Sequence, residues 1–285
     1  MFSKGVIYMV VSTFLFAMMN VLVKTVSNIP AVEIVFFRSV VSLVISVGML
    51  QMNRVSLFGK KKNRLLLILR GSCGAVALVM YFFLLQVIPL ATAVVLQFLA
   101  PVFTTILGIF IVKEKVNPVQ WLFFMLAFLG VFIVYGFDTR ITPWYLLLGV
   151  MASMFAGLAY NFIRKIRMSE HPLVIVLYFP LVTGPLTGAW SALNWVQPQG
   201  MEWLYLLLIG VLTQFAQYFM TRSYQTEELS KVSSINYTGI IYALSFGWIF
   251  FDEQFNFMTY LGMALVIVGV IMNVWYKNLR ELKKD

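Results

Sequence analysis

Long apolar stretches separated by short polar turns run along the whole chain. Each stretch approaches the ~20 residues that a helix needs to cross a bilayer. Proline stands at the start of several stretches, where a helix tolerates it without losing a hydrogen bond. The pattern predicts ten helices, at residues 5–23, 31–52, 66–87, 90–112, 118–136, 143–163, 172–193, 202–221, 232–251 and 257–276. We therefore expect an all-α integral membrane protein.

Composition indicates that the solvent is lipid. Charged residues are 11% of the 285 and hydrophobic residues 61%, whereas a soluble domain is nearer ~25% charged. The net charge of +10 does not indicate nucleic-acid binding, because the basic residues are scattered between the apolar stretches. The single cysteine, Cys73, excludes a disulfide within the chain.

Lysine and arginine are distributed unevenly between alternate loops. Seventeen of the 21 fall on one side of the predicted bundle, and only Lys24 and Arg140 fall on the other, while Arg38 and Arg70 lie inside spans. Loops rich in these residues stay in the cytoplasm. We therefore expect a protein of the cytoplasmic membrane with both termini in the cytoplasm.

The second half of the chain repeats the first. Residues 89–136 align without a gap with residues 228–275, at a spacing of 139, so that Glu114 corresponds to Glu253. A repeat of half the chain is far longer than the ~20–50 residues of solenoid repeats. It is typical of membrane transporters, in which two such halves enclose a site near the bilayer midplane.

An odd number of spans in each half predicts that the halves insert in opposite orientations. The first helices also align, at a spacing of 141, which matches Asn20 with Asn161. We therefore predict two inverted five-helix repeats, at residues 1–140 and 141–285, joined in one transmembrane domain.

Several motifs together resemble one known family. They are FFRSVVSLV at 36–44, the Arg70-Gly71 pair, YFFLLQVIPLATAVVLQFLAPVF at 81–103, Glu114 after the fourth span and Gly130 in the fifth. These motifs resemble the EamA-type drug/metabolite transporter (DMT) superfamily, and the version found here is similar to its subgroup of S-adenosylmethionine uptake transporters. The resemblance implies five plus five helices and transport of a metabolite or drug. It leaves the solute open, because such relatives move amino acids, nucleotide sugars, metabolites and drugs.

Polar residues inside the apolar spans are the candidates for a substrate site. A polar group in the membrane interior is costly unless it has a partner in the protein or in a bound solute. The candidates are Asn20, Arg38, Tyr81, Gln97, Asn161, Gln214, Gln217 and Asn236. The alternative for each is structural: the amides join helices, the tyrosine packs, and Arg38 contacts Glu33 as an ion pair or the carbonyls of neighbouring helices.

Charged residues near the ends of spans are candidates for gating. They are Glu33, Arg70, Glu114 and Glu253. Arg70 either extends to the basic surface, as long cationic side chains do near helix ends, or lies deeper, facing an anion or a gate carboxylate. The corresponding pair Glu114 and Glu253 is expected at opposite faces of the membrane, as solvated loop ends or as a conformational latch.

The sequence lacks the residue patterns of catalysis and metal binding. His171 is the sole histidine, and no Cys or carboxylate stands beside it at ligand spacing. A nucleophile–base pair and a phosphate-binding glycine loop are also absent from the sequence. We therefore expect neither an enzyme nor a metal or other cofactor.

The sequence predicts a secondary transporter that moves a small organic solute by alternating access, in contact with membrane lipid, as a monomer or homodimer. No ATP-binding motif occurs, so the driving force is a solute gradient, an exchanged solute or an ion. The two arginines within spans favour a solute with a carboxylate or phosphate group, zwitterions included, which is amino-acid-like or S-adenosylmethionine-like. The alternatives are a multidrug or organic-cation exporter of the same superfamily and a passive channel.

Overall fold

The computed structural model describes residues 3–113, 116–166, 169–226 and 235–281, and the elements below are those of this part of the chain. The helices are α1 (Lys4–Thr25), α2 (Ala31–Met52), α3 (Arg64–Val87), α4 (Leu90–Gln97), α5 (Ala100–Ile111), α6 (Pro118–Phe137), α7 (Pro143–Ile166), α8 (Pro172–Leu193), α9 (Glu202–Thr226), α10 (Gly239–Phe251) and α11 (Phe257–Glu281). Nine segments of the described residues are long and apolar enough to cross a membrane, α4 and α5 counting together as one, and α10 is a shorter apolar helix. The predicted all-α membrane fold is confirmed.

The fourth span is divided, so the prediction of one continuous helix over 90–112 is wrong. A turn at Phe98 and Leu99 separates α4 from α5. Pro101 lies at the start of α5 and has no N–H to donate to the carbonyl of Gln97, so the helical ladder stops there.

The second repeat is interrupted at the corresponding place. The chain turns at Tyr237 and Thr238, immediately before α10, and these positions follow Phe98 and Leu99 by 139 residues. The prediction of one helix over 232–251 is therefore also wrong within its described part, which begins at residue 235. Ile240 stands in place of proline here, so the interruption does not depend on a proline.

Helices α6 and α11 pack closely against each other in opposite directions. A Cβ atom on Gly130 would come within 2.6 Å of the carbonyl oxygen of Gly262, and one on Gly269 within 2.8 Å of that of Phe123. Phe123 precedes Gly262 by 139 residues, as Gly130 precedes Gly269. The contact is therefore the same from either helix, which is what a two-fold inverted repeat requires.

The same reciprocity relates the packing of α3 on α8 to that of α2 on α9. A Cβ on Gly71 would come within 2.8 Å of the Cβ of Val182, and one on Gly210 within 2.6 Å of that of Val41. Each helix pair joins the first repeat to the second, so the two halves are interleaved rather than side by side.

A stripe of small residues on α7 holds the divided span in place. Gly149 leaves room for Leu96, and Gly157 leaves room for Phe103. Between them the Ser153 hydroxyl donates to the carbonyl oxygen of Leu96 at 2.6 Å. Small residues let membrane helices approach closely, and here they fix the position of the turn between α4 and α5.

The loops lie at the two ends of the bundle, and a polar contact joins the loops of one end. At the basic end, defined by residues 53–63 and 169–171, the Glu170 carboxylate accepts hydrogen bonds from the Lys60 backbone N–H at 3.0 Å and from the Asn63 amide at 2.6 Å. The opposite end is defined by residues 26–30, 138–142, 194–201 and 252–256.

Candidate functional site

Two arginines inside the bundle share one aromatic ring. The guanidinium carbons of Arg38 on α2 and Arg70 on α3 each lie 5.0 Å from the ring centre of Phe179 on α8. Arg38 also lies 5.9 Å from the ring centre of Phe82. The two guanidinium carbons are therefore no further apart than twice 5.0 Å, and the two like charges repel each other.

Neither arginine has an acidic partner among the residues that the structure describes. The Nε and Nη1 atoms of Arg38 and Arg70 are buried without a hydrogen-bond acceptor, and the ion pairs of this part of the chain involve other residues. A charged side chain at the bilayer centre costs at least ~2.5–3.5 kcal/mol, whereas a cation–π contact returns ~0.5–2 kcal/mol. The described contacts therefore offset only part of the cost of burying these two charges.

Phe179 is a site residue that the sequence reasoning missed. It follows Arg38 by 141 residues, which is the spacing at which the first helices of the two halves align. Extending that spacing by one more helix would have matched the two residues. Arg38 thus packs against its own counterpart in the second repeat and forms no ion pair with Glu33 in this structure.

Arg70 points into the bundle rather than to the basic surface. Helix α3 begins at Arg64, two residues before the predicted start at 66, so Arg70 lies in its second turn. Tyr160 on α7 lies within electrostatic range of the guanidinium group. The deeper of the two predicted placements is the one observed, facing an aromatic ring and no described gate carboxylate.

Gln97 and Asn236 stand immediately before the two interruptions. Gln97 ends α4, and its Oε1 atom is buried without a donor. Asn236, half-buried, precedes the turn before α10. Between these positions the rings of Phe98 and Tyr237 pack with centres 5.1 Å apart, so both amides lie near the junction of the two repeats.

The asparagines of the first and sixth spans occupy different surroundings. Asn20 on α1 interacts with the side chain of Tyr81 on α3, and its Oδ1 atom accepts no hydrogen bond from the described residues. Asn161 on α7 donates to the carbonyl oxygens of Thr104 at 2.9 Å and Gly157 at 3.0 Å. The Asn161 amide therefore joins α7 to α5, which is its structural alternative.

The two glutamines on α9 lie where that helix packs against α1 and α2. Gln214 is buried and donates to the Ser46 hydroxyl at 3.3 Å. Gln217 is half-buried one turn later. The Gln214 amide therefore joins α9 to α2.

Glu33 is a buried carboxylate at the start of α2. Its side chain has no solvent exposure, and Oε2 accepts a hydrogen bond from the Val196 backbone N–H at 3.1 Å. Oε1 has no partner within the described residues. Position in the first turn of a helix stabilises a carboxylate by ~0.3–1 kcal/mol, which is small beside the several kcal/mol that burying an ion costs.

Glu253 joins the two repeats at the opposite end. Its carboxylate pairs with the Lys24 ammonium at 3.0 Å and accepts the backbone N–H of Leu90, at the start of α4, at 2.9 and 2.8 Å. Lys24 also donates to the carbonyl oxygen of Ile88 at 2.7 Å. The predicted counterpart of Glu253, Glu114, lies outside the described residues.

Metal-binding clusters are absent from the described part of the chain. No three His, Cys, Asp or Glu side chains there approach closely enough to hold an ion. The side chains brought together are instead amides, aromatic rings and the two arginines.

Comparison with known proteins gives a consistent picture. The model of the EamA-like transporter family matches the chain twice, at residues 3–136 and 143–275. The chain is 33% identical to the pseudopaline exporter of Pseudomonas aeruginosa strain UCBPP-PA14, over 94% of this chain and 95% of that one. It is 27% identical to human solute carrier family 35 member G1, over 96% and 80%, and 27% identical to a riboflavin transporter of Brucella anthropi, over 85% and 87%.

A solved crystal structure is similar to this chain in fold. It has a TM-score of 0.64 and 17% sequence identity and covers 95% of this chain and 97% of that one. The predicted resemblance to EamA-type transporters is confirmed by the family match, while similarity to the S-adenosylmethionine subgroup stays a prediction.

Proposed function

This chain belongs to the EamA-like transporter family, and from that premise we propose that it is a secondary active transporter for a small organic acid or zwitterion. The observation that carries the proposal is the pair of buried arginines, Arg38 and Arg70, which face one ring and have no acidic partner in the described residues. Relatives named for pseudopaline and for riboflavin support a small organic solute.

The chemistry of the arginines favours a carboxylate or phosphate. A guanidinium group binds either oxyanion with two parallel, charge-assisted hydrogen bonds. Gln97 and Asn236, at the interruptions of the helices, supply neutral donors and acceptors, and transporters of this kind use discontinuous helices to contact their solutes. Asn20, Tyr81 and the half-buried Gln217 extend this polar lining; Asn161 and Gln214 contribute through the helix contacts described above.

Alternating access supplies the transport step. We propose that the basic end faces the cytoplasm, because cytoplasmic loops carry the excess of Lys and Arg, and that both termini lie there. The Lys24–Glu253 contact then closes the outer side between the repeats at residues 1–140 and 141–285. Separation of that contact opens a path to the arginines from outside.

The first test is a thermal-shift panel on the detergent-purified protein. The panel contains citrate, malate, glutamate, inorganic phosphate and, as the cation, tetraphenylphosphonium. A ligand at 100 times its Kd stabilises by ~2.7 kcal/mol, so at least one acid should raise the Tm and the cation should not. Arg38→Gln should abolish the shift, and Arg64→Gln, on the exposed start of α3, is the matched control that keeps it.

The second test is counterflow in proteoliposomes, with the acid that gives the largest thermal shift as labelled probe. A carrier is accelerated by the same acid on the far side of the membrane. Flux without such acceleration would show a passive channel instead. Transport of the cation alone, unaffected by Arg38→Gln, would show an organic-cation exporter and overturn the proposal.

A further inference from the structure

We propose that Glu33 is a proton-binding site that couples this carrier to a proton gradient. The inference rests on the proposed function, since it assigns the driving ion to the same transport cycle. It starts from an unusual combination at one carboxyl group: complete burial, one hydrogen bond and no cation.

The contacts of Glu33 leave one oxygen free to carry the proton. The Val196 N–H donates to Oε2 at 3.1 Å, and Oε1 is buried with no partner in the described residues. The other buried carboxylates at the helix ends differ: Glu253 has a lysine and a backbone N–H, Glu170 has an amide and a backbone N–H, and Asp138 has an arginine. Glu33 is therefore the carboxyl group of this set with the least compensation for a negative charge.

The helix N-terminus does not remove the need for a proton. Its partial positive charge offsets only a small part of the cost of burying an uncompensated carboxylate. Buried carboxyl groups of membrane-spanning helices form proton relays in pumps and transporters, and Glu33 is such a group in the first turn of α2. The neutral acid is thus the form that this closed arrangement accommodates.

A buried hydroxyl group without a hydrogen-bond partner in the described residues, that of Ser191, lies at about the same height along the bundle as Glu33. The packing of α2 on α8 places Phe36 against Gly188 and Ser39 next to Gly184, so the helices are antiparallel. One turn further out, this register brings Ser191 to the level of Glu33. The Ser191 hydroxyl is buried and, like Oε1 of Glu33, has no hydrogen-bond partner in the described residues.

Further polar atoms without partners continue from this level towards the arginines. The Ser39 hydroxyl on α2 and the Thr183 hydroxyl on α8 are both buried and unpaired within the described residues. Pro180 and Pro185 lie inside α8, and each removes one N–H from the helical ladder and so frees a carbonyl. These polar groups, Ser191, Ser39 and Thr183, line the contact between α2 and α8 up to Arg38. The proposed proton site and the proposed anion site therefore lie along the same contact between two helices.

Few charged groups surround Glu33. The titratable or charged groups of the described helices packed against α2, and of α2 itself, are Arg38, Arg64, Arg70, Cys73, Tyr81, Tyr178, Glu202, Tyr205, Tyr218 and Arg222. Of the acids among them, Glu202 is half-buried at the same end of the bundle as Glu33 and already accepts hydrogen bonds from the Asn28 amide and the Gln199 N–H. Glu33 is therefore the buried acid on these helices.

The transfer is a simple protonation. In the outward-open state a proton from the outer water bonds to Oε1, and in the inward-open state that bond breaks and the proton leaves to the other side. Arg38 keeps its charge throughout and holds the anion. A proton gradient therefore changes the steady-state concentration of the acid inside.

A direct test is the infrared spectrum of the purified protein at neutral pH. A protonated carboxyl group gives a C=O stretching band that ionised carboxylates lack. The band should be present in the wild type, absent in Glu33→Gln, shifted in Glu33→Asp and unchanged in Glu202→Gln, a control whose carboxylate already accepts two hydrogen bonds. Absence of the band from the wild type, or its persistence in Glu33→Gln, would overturn the proposal without touching the proposed function.

A transport test uses the probe acid and a dye-reported proton gradient in proteoliposomes. Wild-type and Glu202→Gln vesicles should accumulate a different amount of the acid with the gradient than without it. In Glu33→Gln vesicles the two amounts should become equal. Wild-type counterflow that does not respond to the gradient would contradict the proton coupling. Absence of wild-type counterflow would contradict the proposed function itself.

Discussion

The rings of Phe98 and Tyr237 pack against each other with centres 5.1 Å apart. The two residues are 139 positions apart, so each contacts its own counterpart in the other repeat. A residue can do so only near the pseudo-two-fold axis. Arg38 and Phe179 are a second such pair: they are 141 positions apart in sequence, and the Arg38 guanidinium carbon lies 5.0 Å from the Phe179 ring centre. The proposed anion site therefore lies close to that axis.

The aromatic pair at the axis should contribute measurably to stability. Aromatic pairs contribute ~0.5–1.5 kcal/mol beyond their buried area. A double-mutant cycle of Phe98→Leu and Tyr237→Leu, followed by unfolding in mixed micelles, should therefore give a coupling energy in that range. Additive effects of the two substitutions would contradict the packing.

Phe179 should be required for tight binding of the acid. Phe179→Leu removes the ring that both guanidinium groups contact, and a loss of ~1–2 kcal/mol corresponds to a factor of about 5–30 in affinity. Isothermal titration with the probe acid should show that rise in Kd. Phe132→Leu, on an exposed face of α6, is the control, and an equal effect of the two would show that Phe179 has no special role.

The contact of α6 with α11 should not tolerate a larger side chain. Gly130→Leu and Gly269→Leu each bring a side chain against backbone atoms that already lie within 2.6 to 2.8 Å of a Cβ position. Overpacking costs ~1–3 kcal/mol, so both variants should have a lower Tm in detergent.

Helix α6 also provides a matched control for the experiment on Gly130 and Gly269. A Cβ on Gly136 would meet nothing within 4 Å, so Gly136→Leu should leave the Tm nearly unchanged. If all three variants behaved alike, the loss would reflect helix propensity rather than the inter-helix contact.

Neutralising Glu253 should open the opposite end. Breaking a buried ion pair by removing one charge costs ~3–5 kcal/mol, and Glu253→Gln leaves the Lys24 ammonium without its partner. Spin labels at Ser27 and Gln254, both exposed, in a Cys73→Ser background should report a longer and broader distance distribution.

The control for this opening is the neighbouring carboxylate. Asp252 is exposed in a left-handed backbone conformation with φ 51°, which asparagine adopts readily. Asp252→Asn should leave the distances unchanged. Unchanged distances in Glu253→Gln as well would show that the Lys24 pair does not hold this end closed.

The hydrophobic pattern predicted the bundle well because span length and repeat spacing follow directly from bilayer thickness and chain alignment. It did not predict the turns within the fourth and ninth spans. Pro101 is one signal among several prolines, and Ile240 gives no local signal at all. That turn packs against the corresponding turn of the other half through Phe98 and Tyr237, a contact that the sequence of a single helix does not encode.

The sequence predicted the polar residues of the candidate site but not its aromatic residue, Phe179. Arg38 and Gln97 are conspicuous because polar groups are rare in apolar spans. Phe179 is one of 26 phenylalanines, so composition cannot distinguish it from packing residues. The depth of Arg70 depends on where α3 begins, and a difference of two residues at a helix end was enough to leave two placements open.

The burial of the Nε and Nη1 atoms of both arginines has a consequence for solution conditions. Dissolved salt weakens attractions between exposed charges but reaches buried ones much less. The affinity for the acid should therefore stay nearly constant as sodium chloride is raised. Loosely held anions at the lysine-rich surface should be released over the same range, which offers a simple way to separate transport-competent binding from adsorption.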